Sequence, residues 1–189
     1  MKLFITLLIY LCSAIAADIK SLPNQAGNGN IDLAGTAIVD PKEIQLLLDI
    51  PLPAGYLVVR IKVSPRTSEA IRISPDDFTI ISRKDGERSA ALAPSQIGGP
   101  ANLALKSKTT YGGSPGVSET RVSVGPADAK QQAPDERLQK ILESKVLPDT
   151  ETKEPVEGLL YFLLDGKNKP KDLGLLYKGP AGRLSMDFK

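Results

Sequence analysis

The chain has no histidine and no tryptophan, a single cysteine (Cys12), and aromatic residues at only 5% of its 189 positions. Without histidine there can be no Ser-His-Asp triad, no Cys-His nucleophile, no imidazole zinc site and no histidine acid or base. Excess charge is also missing. Lysine and arginine number 24 against 22 acidic residues, a formal +2, so composition gives no argument for nucleic acid or a polybasic membrane surface. Past the N-terminus, no apolar run approaches the ~20 residues that a membrane-spanning helix needs. What is abundant is glycine and proline, 16 and 15 residues, against an average of about 12% for the two together.

The one long apolar run comes first. Met1-Lys2 gives a positive start, Leu3 to Leu11 is broken only by Thr6, and Ser13-Ala14-Ile15-Ala16 supplies the small residues of a cleavage site. This order predicts a secretory signal peptide over residues 1–16. A transmembrane anchor would need about twice that apolar length. A lipoprotein cysteine normally follows Gly, Ala or Ser, and Cys12 follows Leu11. Cleavage after Ala16 leaves a chain of 173 residues with no cysteine and hence no disulfide, although export would permit one. At that length a single domain buries ~70% of its unfolded surface and needs no staple. The expectation is an extracytoplasmic protein, periplasmic or secreted, with no transmembrane segment after cleavage.

Residues 17–30 are polar and Gly/Asn-rich and read as a flexible leader, followed by a single domain over 31–189. Residues 31–39 can form a first strand. Asp40 can cap a helix, Pro41 suits its first position, and Ile44, Leu47 and Leu48 share a face, which predicts a helix over 41–49; a strand through 45–50 is the rival. Residues 56–63 carry a period of two. Leu57, Val59, Ile61 and Val63 face one way, while Tyr56, Val58, Arg60 and Lys62 face the other, as in an antiparallel sheet wetted on one side. Short strands follow at 70–73 and 78–82, and Asp85-Gly86 signals a hairpin with 88–93 pairing back. Residues 94–116, rich in Gly, Pro, Ser and Thr, read as a long polar loop, and 117–124 can return as a strand. A second helix is predicted over 134–146, with Asp135 and Glu136 in its first turn and Leu138, Ile141, Leu142 and Val146 on one stripe. Residues 156–164 read as a buried central strand, and 173–177 and 184–188 as a closing pair. Together these patterns predict a mainly β protein, an antiparallel β-sandwich with two short helices.

Three stretches carry a family likeness. They are Gly55-Tyr56-Leu57-Val58-Val59-Arg60, Ile73-Ser74-Pro75-Asp76-Asp77-Phe78 and Val156-Glu157-Gly158-Leu159-Leu160-Tyr161-Phe162. They resemble a group of exported bacterial domains of unknown function. In that group a central strand precedes a Ser-Pro-x-Asp-Phe turn, and a late Gly-hydrophobic-Phe strand leads into a leucine-rich C-terminal hairpin, here residues 172–188. The group is similar to immunoglobulin-like β-sandwiches, so the resemblance implies that fold and an exported location. It covers about half the mature chain and transfers no catalytic residue. The two helices and the segment after Pro94 depart from a minimal domain of this kind.

Few residue patterns point to chemistry. Asp76 and Asp77 are adjacent carboxylates, whereas glycoside hydrolysis needs two across a cleft. Asp76 is expected to cap the turn and Asp77 to be solvated. Residues 165–168 offer oxygen ligands but lack the acidic spacing of a calcium loop. Ser107-Lys108 and Ser144-Lys145 lack the S-x-x-K spacing of Ser-Lys catalysis. No glycine-rich phosphate loop stands between a strand and a helix. Lys106, Lys108, Tyr111 and Arg121 are the candidate binding loop. No catalytic residue, metal or cofactor is expected. The function expected is a non-catalytic binding or scaffolding module whose partner is a protein or glycan of the cell envelope. The alternatives are a structural subunit of a surface assembly and a carboxylate-dependent carbohydrate-active enzyme.

Overall fold

The computed structural model describes residues 22–98, 106–109, 120–123 and 135–189. Residues 1–16, read as a signal peptide, and Tyr111 lie outside them. The described chain is mainly β. In order it forms β1 (Asn24–Gly27), β2 (Ile31–Ile38), α1 (Pro41–Leu48), β3 (Tyr56–Pro65), β4 (Ile71–Ile73), β5 (Phe78–Ser82), β6 (Glu87–Ala90) and α2 (Pro94–Gly98). Then come β7 (Lys106–Thr109), β8 (Thr120–Ser123), α3 (Glu136–Lys145), β9 (Thr150–Thr152), β10 (Val156–Leu163), β11 (Leu173–Gly179) and β12 (Gly182–Asp187). All the pairings between these strands are antiparallel. One sheet has four strands in the order β1-β2-β3-β10, a second has six in the order β12-β11-β5-β6-β7-β8, and β4 pairs with β9.

The alternation of β3 organises the packing. Leu57, Val59, Ile61 and Val63 enter a core that also takes Ile31 and Leu33 of β2, Phe78 and Ile80 of β5, and Leu175 and Tyr177 of β11. The two larger sheets therefore share one apolar core. On the opposite face of β3, Val58 and Tyr56 lie in a second cluster built with Ile44 and Leu48 of α1, Ile97 of α2, and Leu138 and Leu142 of α3. Only the other half of that face, at Arg60 and Lys62, stays open. The expected wet face is thus half wet, because helices cover the rest.

Both predicted helices form, and for the reasons their sequences carry. Asp40 caps α1 by accepting from the Lys42 N–H at 2.8 Å, with Pro41 in the first turn. Asp49, at φ 60°, ends it in the left-handed region. Asp135 caps α3 through the Leu138 N–H at 2.9 Å. Leu138 and Leu142 are buried in the second cluster, with Val146 packed against it. A matching pair of short 3-10 turns, Pro75–Asp77 and Pro170–Asp172, leads into β5 and β11. In each, proline sets the first φ and the strand begins directly afterwards.

Several expectations are corrected. The segment read as a flexible leader holds a strand at 24–27. Its polar composition hides it: Asn24 anchors it with side-chain bonds, Nδ2 donating to the Gly35 carbonyl at 3.1 Å and Oδ1 accepting from the Lys189 N–H at 3.0 Å, while Ala26 packs against the main core. Residues 94–116 are not one loop. Residues 94–98 form α2 and 106–109 form β7, so the described residues hold three α-helices rather than two. The strand β9 went unread because Thr-Glu-Thr carries no apolar signal.

Finally, β10 is not central. It closes one end of the four-stranded sheet, yet both of its faces are buried, Leu160 and Phe162 in the main core and Leu159, Tyr161 and Leu163 in the second cluster. Its outer edge is occupied by chain from other elements. The Leu147 N–H donates to the Leu159 carbonyl at 2.9 Å and the Leu92 N–H to the Tyr161 carbonyl at 2.8 Å. Gly158 makes this possible, since a Cβ there would stand 2.4 Å from Leu147 Cα.

Candidate functional site

The half of the four-stranded sheet left bare by the helices forms a shallow cleft of about 710 Å³. Its floor is set by strand register. Gln25, Ala34, Lys62 and Glu157 make one cross-strand row, and Gly27, Asp32 and Ser64 make the next. Along β3 the outward positions are Arg60, Lys62 and Ser64, and Arg66 continues the same two-residue spacing just past the strand. The turn that walls the cleft is pinned by asparagines. Asn28 Oδ1 accepts from the N–H groups of Asn30 and Ile31 at 2.8 and 2.9 Å, and both asparagine side chains donate to the Ala181 carbonyl.

Two ion pairs lie at the ends of this row. Arg60 Nε donates to Glu157 Oε1 at 2.6 Å, a diagonal contact, since Glu157 stands opposite Lys62 in register. Arg66 Nε donates to Asp32 Oδ2 at 2.6 Å. The hydrogen bond and charge of Asp32 push the Arg66 guanidinium further up from its ordinary value. The two arginine side chains are 50% and 55% exposed, so these are pairs at the surface, worth little as stability. Asp32 reaches Arg66 by lying over Gly27, where a Cβ would fall in the space of its carboxylate oxygen. Lys62, partly buried between the pairs, forms no ion pair among the described residues.

A second polar cluster surrounds the Ser-Pro-Asp-Asp turn. Arg72 grips Asp149 with Nε and Nη2 at 3.2 and 3.0 Å, and Ser74 Oγ donates to the same carboxylate at 3.3 Å. These bonds hold Asp149 below its ordinary value. Asp77 is pushed up, chiefly by burial. Its carboxylate lies beside the Tyr177 hydroxyl: a Cβ on Gly179 would be 2.5 Å from both groups. The expected roles are therefore reversed, with Asp77 drawn inward and Asp76 exposed. The two occupy one short turn and do not face each other across a cleft. Among the described residues, no three His, Cys, Asp or Glu side chains converge to hold a metal.

The residues picked from sequence as a binding loop lie on strands where they are described. Lys106 and Lys108 belong to β7 and Arg121 to β8. Lys108 stands opposite Arg121 on one side and Glu87 on the other, and Lys106 opposite Ser123 and Ser89. Register thus brings these three together, while Tyr111 lies outside the described residues. Sequence reasoning placed Arg60 and Lys62 on a wet face but missed Asp32, Arg66 and Glu157. Their signal was the same period of two: Asp32, Ala34 and Thr36 alternate with the buried Leu33, Gly35 and Ala37.

No family model, curated protein or solved structure matches the chain. No helix among the described residues is long and apolar enough to cross a membrane.

Proposed function

We propose that the chain is a non-catalytic extracytoplasmic binding or scaffolding module, built as an immunoglobulin-like β-sandwich and exported behind residues 1–16. The observation that carries this reading is the cleft on the four-stranded sheet. Helices α1 and α3 bury the apolar half of that face, while the other half presents Arg60, Lys62, Ser64 and Arg66 at regular spacing. The carboxylates there, Asp32 and Glu157, are each engaged by an arginine. That arrangement suits a patterned recognition surface rather than proton transfer, for which a carboxyl must be free to reach the substrate. Two antiparallel sheets sharing one apolar core support the sandwich, and the order of charge, apolar run and small residues at 1–16 supports export. The partner is a protein or glycan of the cell envelope.

The test compares the full chain with a Lys62→Glu variant, each immobilised and exposed to envelope extract, with circular dichroism checking that both are folded. Wild type is expected to retain a protein or glycan that the variant releases. Recovery of neither by wild type, or equal recovery by both, would count against the proposal.

A further inference from the structure

We propose that the cleft recognises an extended acidic peptide segment, with acidic side chains at alternate positions aligned along β3. This inference rests on the binding reading above and adds the chemical class of the ligand. Its first support is unused hydrogen-bonding capacity. A guanidinium carries five N–H donors in a fixed fork. Among the described residues, Arg60 and Arg66 each engage their carboxylate through Nε alone. The terminal nitrogens, which favour bidentate bonding to carboxylates, are left for an incoming group. Lys62 adds an ammonium with no ion pair among the described residues. Among the described lining residues, three cations against two carboxylates leave one positive charge in excess.

The second support is spacing. Arg60, Lys62, Ser64 and Arg66 recur every two residues, which along a strand is about 6.6 Å. An extended peptide has the same repeat, so acidic side chains at alternate positions meet Arg60 and Lys62, then Arg66 after a gap at Ser64. Beside Lys62 the floor is lowered by Ala34, its neighbour on β2, which lets a backbone approach closely. A glycan would favour an aromatic platform, and none of the described residues that line this cleft is aromatic. Charge complementarity, spacing and floor therefore favour peptide over polysaccharide.

The experiment titrates the full chain with a synthetic peptide alternating glutamate and serine, a lysine-serine counterpart and polygalacturonate. The acidic peptide is expected to bind and to weaken with rising salt. Lys62→Met should weaken it about tenfold, the loss of one charge-assisted contact. Lys62→Arg should retain it, and Lys84→Met, exposed and outside the cleft, should leave it unchanged. Equal binding of the lysine peptide, or Lys62-dependent binding of polygalacturonate without the acidic peptide, would overturn the peptide assignment. If the acidic peptide fails while Lys62→Glu still abolishes envelope capture, this inference falls and the binding reading stands. If cleft substitutions alter neither measurement, both fall.

Discussion

Gly158 and Asp77 show how much a single position depends on what packs against it. At 158 the chain after α3 comes so close that a Cβ would stand 2.6 Å from Leu147 N and 2.4 Å from Leu147 Cα. Backbone cannot rotate away as a flexible side chain can. Gly158→Ala should therefore destabilise the protein by about 1–3 kcal/mol through overpacking, read as a lower urea midpoint. An unchanged midpoint would show that residues 146 and 147 can shift. Asp77 and Asp149 predict opposite pH dependences. The folded pKa of Asp77 is raised by burial, so its ionisation is disfavoured in the native state and the penalty grows as pH rises above the ordinary 3.8. Asp77→Asn should match wild type in acid and gain on it toward neutrality. Asp149 is lowered by Arg72, so its contribution is present above pH 3.8 and lost as acid protonates it. Asp149→Asn should fall below wild type at neutrality and converge with it in acid. Unfolding midpoints measured from about pH 3 to 7 check both, and parallel pH curves for all three proteins would contradict the argument. None of this was legible in sequence, where Asp76 and Asp77 are indistinguishable neighbours.

The helices α1 and α3 were legible because each carries its own start signal, Asp40-Pro41 and Asp135, ahead of an apolar stripe. Helical spacing sorts the leucines: Leu46 stands off the α1 face that buries Ile44 and Leu48. Leu142 is fully buried, and its carbonyl accepts from both the Val146 N–H and the Tyr161 hydroxyl, whereas Leu46 on α1 is 81% exposed. Leu142→Ala should cost about 2–5 kcal/mol, while Leu46→Ala should stay within about 0.5 kcal/mol of wild type. Thermal or urea unfolding of the two variants separates them, and equal losses would refute this packing. The elements that went unread share a cause. β1 is held by Asn24, β9 is Thr-Glu-Thr paired with β4, and α2 rests on α3 through the bond from the Asp135 N–H to the Gly98 carbonyl at 2.8 Å. β9 and α2 depend on partners distant in sequence, and β1, although it pairs with the adjacent β2, is tied down at Asn24 by the far C-terminus, so their local residues carry little pattern.

The two apolar clusters are not independent, because β3 and β10 lie between them. β3 gives Val59 to one and Val58 to the other, and β10 gives Phe162 to one and Tyr161 to the other. Damage to either side must be felt by the same pair of strands. Phe162→Ala, which should cost about 3–5 kcal/mol, and Leu142→Ala should therefore each lower a single cooperative unfolding transition. Two separate transitions by calorimetry would show that the helical layer melts alone. Sequence by itself determined the β-rich class, the period of two along β3, the capped helices and the turns that begin with proline. Those follow from local rules: backbone preference, period of side chains and the bonding of chain ends. Tertiary structure alone decided that β10 ends its sheet while buried on both faces, that α1 and α3 cover half of the β3 surface, and that Asp32, Arg66 and Glu157 join Arg60 and Lys62 in a cleft. Which face is covered, and which charges meet, depends on contacts between residues far apart in the chain, and a pattern of two or three residues cannot encode them.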